Sequence, residues 1–172
     1  MRNVVQKYGL ISGLIMIVYT GILAFVWSKY PNFNVMVVAS DLGMIFSLST
    51  VFFGIREYRM KNPDVVMTFG QGFVIGIAIA AIGSVLYAMC YTVYATYVTP
   101  DLLQKYGQFM MDDLRKRGAP QGLIDQKAKV LAEMLAASQN PLFNLWEGFL
   151  ESFPVGLVYT LISALVLRTK KR

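Results

Sequence analysis

Along the chain, polar residues gather in short clusters separated by long apolar runs, a pattern that predicts helices crossing a membrane. Four runs, about 8–28, 35–55, 73–94 and 145–167, are each long enough to span about 30 Å of hydrocarbon, for which a helix needs roughly 20 residues. Between the third and fourth runs the pattern changes. In "TPDLLQKYGQFMMDDLRKRG", Thr99 is placed to cap a helix, with Pro100 in its first position and Asp101 in its first turn. Gly118 then stops it after Arg115, Lys116 and Arg117. Leu103, Tyr106, Met110 and Leu114 fall on one face of that helix. After "APQG", Ile124, Ala128, Leu131 and Leu135 recur at helical spacing, and the run stops before "SQNP". The region from about 99 to 139 therefore reads as an amphipathic helical hairpin, able to pair internally or to lie on a bilayer surface.

Composition agrees with the pattern. Of 172 residues, 56% are hydrophobic and 15% charged, far from the balance of a soluble domain, and the length suits one domain. Histidine is absent and Cys90 is the single cysteine, which excludes a Cys/His zinc site and an intrachain disulfide. The net charge of +6 does not point to nucleic acid, because the bases cluster at the ends of apolar runs. Arg2, Lys7, Arg56, Arg59, Lys61, Arg168, Lys170, Lys171 and Arg172 share one side if all four runs cross, and that side is expected to be cytoplasmic. The connection "KYPNFN" and the hairpin then lie outside, with Trp27, Tyr30, Tyr94, Tyr97 and Trp146 at the outer interface. The first run, preceded by Arg2 and Lys7, is longer than a secretory signal core. It ends in "FVWSKYP" without a small-residue cleavage site, so it is read as a retained span.

The third span carries a small residue at every fourth position, Gly72, Gly76, Ala80, Ser84 and Ala88. Such stripes let helix backbones approach closely in lipid, and they mark this span as the central packing helix. Tyr87, Tyr91 and Tyr94 form a neighbouring stripe, suited to an aromatic belt with interhelical hydrogen bonds, or to a ligand pocket. Three acids enter the spans: Asp41 in the second, Glu147 and Glu151 in the fourth. Because those helices run oppositely, all three should lie at a similar depth, where an ionised carboxylate needs water, a base or a proton. Lys29 and the hairpin's Arg115, Lys116 and Arg117 are the expected basic partners, and the three tyrosines are expected hydrogen-bond donors.

A helical wheel puts Glu147, Glu151 and Pro154 on one face and Ser152, Gly156, Thr160 and Ser163 on the other, with Asp41 likewise opposite Gly43, Ser47 and Gly54. Either the small faces close the bundle and the acids look towards the hairpin, headgroups or a second subunit, or the acids point inward. Pro154 removes a hydrogen bond to the Leu150 carbonyl and permits a kink. "FGQGF" lacks the Lys-Ser/Thr ending of a phosphate loop; its glycines suit tight packing, and Gln71 suits a hydrogen bond at the inner interface.

Several stretches carry a family resemblance: "YGLISGL", "REYR" followed by "TFGQGFVIG", "YVTPDLLQKY", and "NPLFNLWEGFLESFPVGLVYTLISALVLR". In these the chain resembles, over nearly its whole length, a family of bacterial membrane proteins catalogued as a domain of unknown function, the "four-one-nine-nine" family. The resemblance implies four spans, an extracytoplasmic helical insert between the third and fourth, and a bacterial inner membrane. It supplies no activity, ligand or catalytic residue.

The expected protein is thus an all-α, integral membrane four-helix bundle with an extracytoplasmic amphipathic hairpin between its third and fourth spans and both termini in the cytoplasm. No nucleophile, metal motif or phosphate loop accompanies the acids, so no enzyme, cofactor or metal site is expected. The leading expectation is a scaffold or accessory subunit that engages lipid, or a membrane or periplasmic protein, through the hairpin, possible homo-oligomers included. The rival is a small oligomeric proton- or cation-linked transporter or channel using Asp41, Glu147 and Glu151. Acids bonded to Arg115 or Arg117 favour the first reading, and acids around a cavity favour the second.

Overall fold

The computed structural model describes residues 1–30 and 32–169; Pro31 of the first connection, and Lys170, Lys171 and Arg172 of the basic set, lie outside the described residues. The order of elements is α1 (Arg2–Lys29), α2 (Phe33–Leu48), α3 (Thr50–Lys61), α4 (Phe69–Val93), a π-helical continuation of α4 (Tyr94–Val98), α5 (Leu102–Lys116), α6 (Gln121–Ala137) and α7 (Pro141–Leu167). Four stretches are long and apolar enough to cross a membrane: Arg2–Trp27, Phe33–Lys61, Phe69–Val98 and Pro141–Leu167. They overrun the apolar runs because the polar and charged residues at their ends are helical as well. Large apolar side chains such as Leu14, Phe46, Val158 and Val166 are exposed around the bundle, as a surface facing hydrocarbon requires.

Local chemistry sets the helix ends. Asn32 accepts from the Val35 N–H at the start of α2, and Asn140 accepts from the Leu142 N–H at the start of α7, where Pro141 takes the first position. Thr68 and Gln71 form a reciprocal capping box at the start of α4, which gives Gln71 its role at that end. At the end of α5, Gly118 adopts φ 68°, the Ala119 N–H reaches the Leu114 carbonyl and the Gly118 N–H reaches that of Arg115, completing a Schellman turn. The start of α5 differs from expectation. Thr99 does not cap it: its N–H and hydroxyl both turn back to the Tyr94 carbonyl, at 3.0 and 3.5 Å, and the helix begins at Leu102. The π continuation draws Thr99 into the preceding element.

The second span is jointed at Ser49. Three hydroxyls around the joint bond to carbonyls: Ser47 to Ser12 at 2.6 Å, Ser49 to Phe46 at 2.6 Å and Thr50 to Ser47 at 2.8 Å. The last two reach back three residues on their own chain segment, and such local bonds compete with the helix ladder and bend it, while the first ties the joint to α1. Beyond the joint the two halves keep different company: α3 packs on α1, α4 and α7, whereas α2 packs on α1 and less closely on α7. The half of the bundle containing α3 is therefore solid, filled by Val51, Ile55, Ile75 and Ile79, all fully buried. The half containing α2 holds a smaller cluster of Met16, Met44 and Leu48 and leaves space beside α4.

Helix α4 is central. On one side, Gly9 and Gly13 of α1 receive Ile82 and Leu86. On the other, α4 and α7 meet in a single register: a Cβ built on Gly72 would stand 3.2 Å from the Ala164 Cα, and one on Gly76 would stand 2.7 Å from the Thr160 Cγ2. Likewise, a Cβ on Gly156 would stand 2.7 Å from the Ala80 Cβ, and one on Gly148 would stand 3.1 Å from the Ala88 Cα. The same register faces Ser84 with Ser152, both fully buried. Small faces thus close the bundle, and the exposed Pro154 lies on the opposite side of α7.

The end that carries Met1 and the α3–α4 turn is basic and cross-linked. Glu57 accepts from Lys7 and Tyr8 of α1 and pairs with Lys61, each at 2.7 Å. An Arg59 Nη donates to the Leu167 carbonyl at 3.2 Å, a cation on the end of α7, and Met67 and Thr169 exchange hydrogen bonds beside it. At the opposite end, Leu131 of α6 rests directly on Gly107 of α5, and Phe33 at the start of α2 is stacked by Phe109 of α5 and met at a tilt by Tyr106. Ile124 is the buried residue of α6, while Ala128 is exposed rather than packed in the hairpin seam.

Candidate functional site

Under the hairpin, where α2 stands away from α4, lies a cavity of about 370 Å³. Its walls come from α2, the π continuation of α4, the first turns of α5 and the start of α7. Asp41, Glu147 and Glu151 all line it. The closure of the bundle through the small faces is what turns the acids here: on α7 the acidic face lies opposite Ser152 and Gly156, which are spent on α4. A second, deeper chamber of about 150 Å³ lies between α1, α2 and α4. Glu151, Tyr91, Ser40, Met36 and Leu102 line both, so Glu151 stands at their junction.

The tyrosine stripe lies along the same junction. The Tyr87 hydroxyl donates to Glu151 Oε2 at 3.0 Å, and the rings of Tyr87 and Tyr91 stack with centroids 6.1 Å apart. Tyr91 lies against Gly148, where a Cβ would stand 3.1 Å from its ring, so the glycine makes room for the side chain beside α7. Tyr94 lines the deeper chamber and is only 8% exposed, and its hydroxyl has no hydrogen-bond partner among the described residues. It is the first residue of the π continuation, a local widening of the helix that often accompanies functional sites.

The expected basic partners are elsewhere. Arg115 bonds to Asp112 at 3.4 Å and Arg117 to Asp113 at 2.8 Å, both within α5 and its end, while Lys116 is exposed. Asp41, Glu147 and Glu151 pair with no base among the described residues. The reason is reach: the cavity is lined by α5 only as far as Tyr106, and Arg115 lies nine residues further, about 13 Å along a helix. Acids three and four residues away are closer partners. Nor do the carboxylates converge on one point, since no trio of His, Cys, Asp or Glu among the described residues is arranged to hold a metal ion.

Sequence reasoning passed over Asn144. It is 3% exposed at the start of α7, lines the cavity, and donates from Nδ2 to the Ser138 carbonyl at 3.0 Å and the Thr96 hydroxyl at 3.4 Å. It thereby ties α7 to the π continuation and to the end of the hairpin. A lone amide four residues into an apolar helix was the available signal.

Four apolar helices around a small-residue seam, with a hairpin closing an acid-lined cavity, define a helical bundle compatible with a multi-pass membrane protein. The chain belongs to the DUF4199 family, described as proteins of unknown function, whose profile matches residues 7–169. No curated protein and no solved structure matches it.

Proposed function

We propose that this protein is a cation-binding membrane protein of the transporter or channel kind, whose acid-lined cavity loads cations for passage across a bacterial inner membrane. The observation that carries the reading is that Asp41, Glu147 and Glu151 line one cavity and none of them is neutralised by a base among the described residues. Carboxylates held in a partly apolar surrounding without a counter-charge attract cations. The orientation that suits this role has the termini in the cytoplasm and the cavity opening outside. Arg2, Lys7, Arg56, Arg59, Lys61 and Arg168 near the ends of the spans support it.

Reconstituted in liposomes, the protein should pass protons or alkali cations, and Glu151→Gln should lower that flux by at least about tenfold. Wild-type liposomes that stay tight to protons, sodium and potassium would overturn the reading.

A second reading, a scaffold or accessory subunit that binds lipid or a partner protein through the hairpin, draws support from α6, which is exposed along most of its length with Leu123 and Val130 outward. Deleting residues 101–138 should then abolish crosslinking to that partner or to lipid while the spans still insert. Unchanged recovery would dismiss this second reading.

A further inference from the structure

The end of the bundle opposite the acid-lined cavity carries a concavity of the other sign. A groove of about 440 Å³ lies between the end of α3, the turn before α4 and the end of α7. Arg56 and Arg59 line it, and no acid does. The acids next to them in the chain are placed elsewhere: Glu57 is held by Lys7, Tyr8 and Lys61, and Asp64 is exposed on the turn and is not part of the groove wall.

The two arginines reach the groove in different ways. Arg56 has no ion pair or hydrogen bond among the described residues. On its own face of α3 it stands between Phe53 and Met60, both exposed apolar side chains. It therefore sits on the stripe that faces hydrocarbon, near the helix end, where a guanidinium snorkels to the headgroup level and needs an anion. Arg59 donates from one Nη to the Leu167 carbonyl at 3.2 Å, which pins its side chain on the end of α7. Its other N–H groups have no partner among the described residues. Beside it the Thr169 hydroxyl oxygen accepts from the Met67 N–H at 3.2 Å, which leaves the hydroxyl hydrogen to donate. Met60 and Val65, both exposed, supply an apolar part of the wall. Guanidinium forks match phosphate oxygens. A soluble phosphate would leave the apolar wall bare, whereas a lipid covers it.

We infer that this groove binds the headgroup of an anionic glycerophospholipid, with Arg56 and Arg59 on its phosphate, Thr169 as a further donor, and an acyl chain along Met60 and Phe53. Basic pockets between spans at a membrane surface are suited to such headgroups. The site does not depend on what the acid-lined cavity binds; it requires only that the four apolar helices lie in a bilayer.

The test is native mass spectrometry of the full chain in detergent, titrated with dioleoyl phosphatidylglycerol, dioleoyl phosphatidylcholine and glycerol 3-phosphate. Phosphatidylglycerol should bind at least about tenfold more tightly than phosphatidylcholine, and glycerol 3-phosphate far more weakly than either. Arg56→Gln, which breaks no bond within the protein, should weaken phosphatidylglycerol about fivefold. Adding Arg59→Gln should bring it to the level of phosphatidylcholine. Arg2→Gln, at the same end but outside the groove, should leave the preference as it was. If the two lipids bind alike, or if Arg2→Gln costs as much as Arg56→Gln, the attraction is diffuse and the inference falls. If glycerol 3-phosphate binds as tightly as phosphatidylglycerol, the occupant is a soluble phosphate and the lipid assignment is overturned.

Discussion

Gly156 of α7 lies against Ala80 of α4 so closely that a Cβ on the glycine would stand 2.7 Å from the alanine Cβ. Neither backbone can yield without loosening the seam along its length. Gly156→Val should therefore destabilise the bundle by about 1–3 kcal/mol, the usual cost of overpacking, read as unfolding in detergent. Gly21 of α1 has nothing within 4 Å, so Gly21→Ala should leave stability unchanged or slightly raised. Equal losses in the two variants would show that glycine content, rather than contact, governs stability.

The joint of the second span is held to α1 by a buried exchange: Ser47 Oγ donates to the Ser12 carbonyl at 2.6 Å, and the two hydroxyls lie 3.1 Å apart. Hydrogen bonds between helices in lipid are worth about 0.6 kcal/mol on average. A double-mutant cycle of Ser12→Ala and Ser47→Ala should return a coupling of about that size. Strict additivity would mean that the hydroxyls serve their own helices alone.

The hairpin depends on Gly107, the notch that receives Leu131. Gly107→Val should push α6 off α5 and speed tryptic cleavage at Lys127 and Lys129. Gly122 has open space around it, so Gly122→Ala should leave the cleavage rate as it was.

At the start of α5, the Lys105 ammonium bonded to Asp101 holds that carboxyl below the usual aspartate range. A depressed folded-state value means that the contribution to stability is complete at neutral pH. It is lost only as the pH falls through that value. A carboxyl-detected NMR titration should place the Asp101 midpoint below that of an unpaired aspartate, and Lys105→Gln should raise it. No change in the midpoint of that variant would remove Lys105 as the cause.

The spans are legible in the sequence because hydropathy needs no partner to be read, and the end of α5 is legible because Gly118 carries its own conformational reason. What depends on distant company is less so. The spacing of Gly72, Gly76, Ala80, Ser84 and Ala88 is visible in one helix, but that α7 meets them is a fact of two. Lys7 and Lys61 read as charges that set orientation, and nothing nearby in the chain announces that Glu57 gathers both with Tyr8. The Thr-Pro-Asp signal at 99–101 is a good local cap, overruled by a π continuation that no residue pattern foretells. Around the acids, depth could be counted along the helices, whereas the arginines assigned to them belong to nearer aspartates.

Read as an address, the seam between α4 and α7 is ambiguous. Sliding α7 by one turn would set Gly76 against Ala164, Ala80 against Thr160 and Ser84 against Gly156, again small against small throughout. The stripe specifies that the helices touch but not at which rung. The rung is specified at the ends, by Tyr87 with Glu151 and Asn144 with Thr96 on one side and by Met67, just before α4, with Thr169, just after α7, on the other. The polar groups that line the cavity thus also serve as the vernier that aligns α4 and α7, the two helices that share the most extensive contact of the bundle.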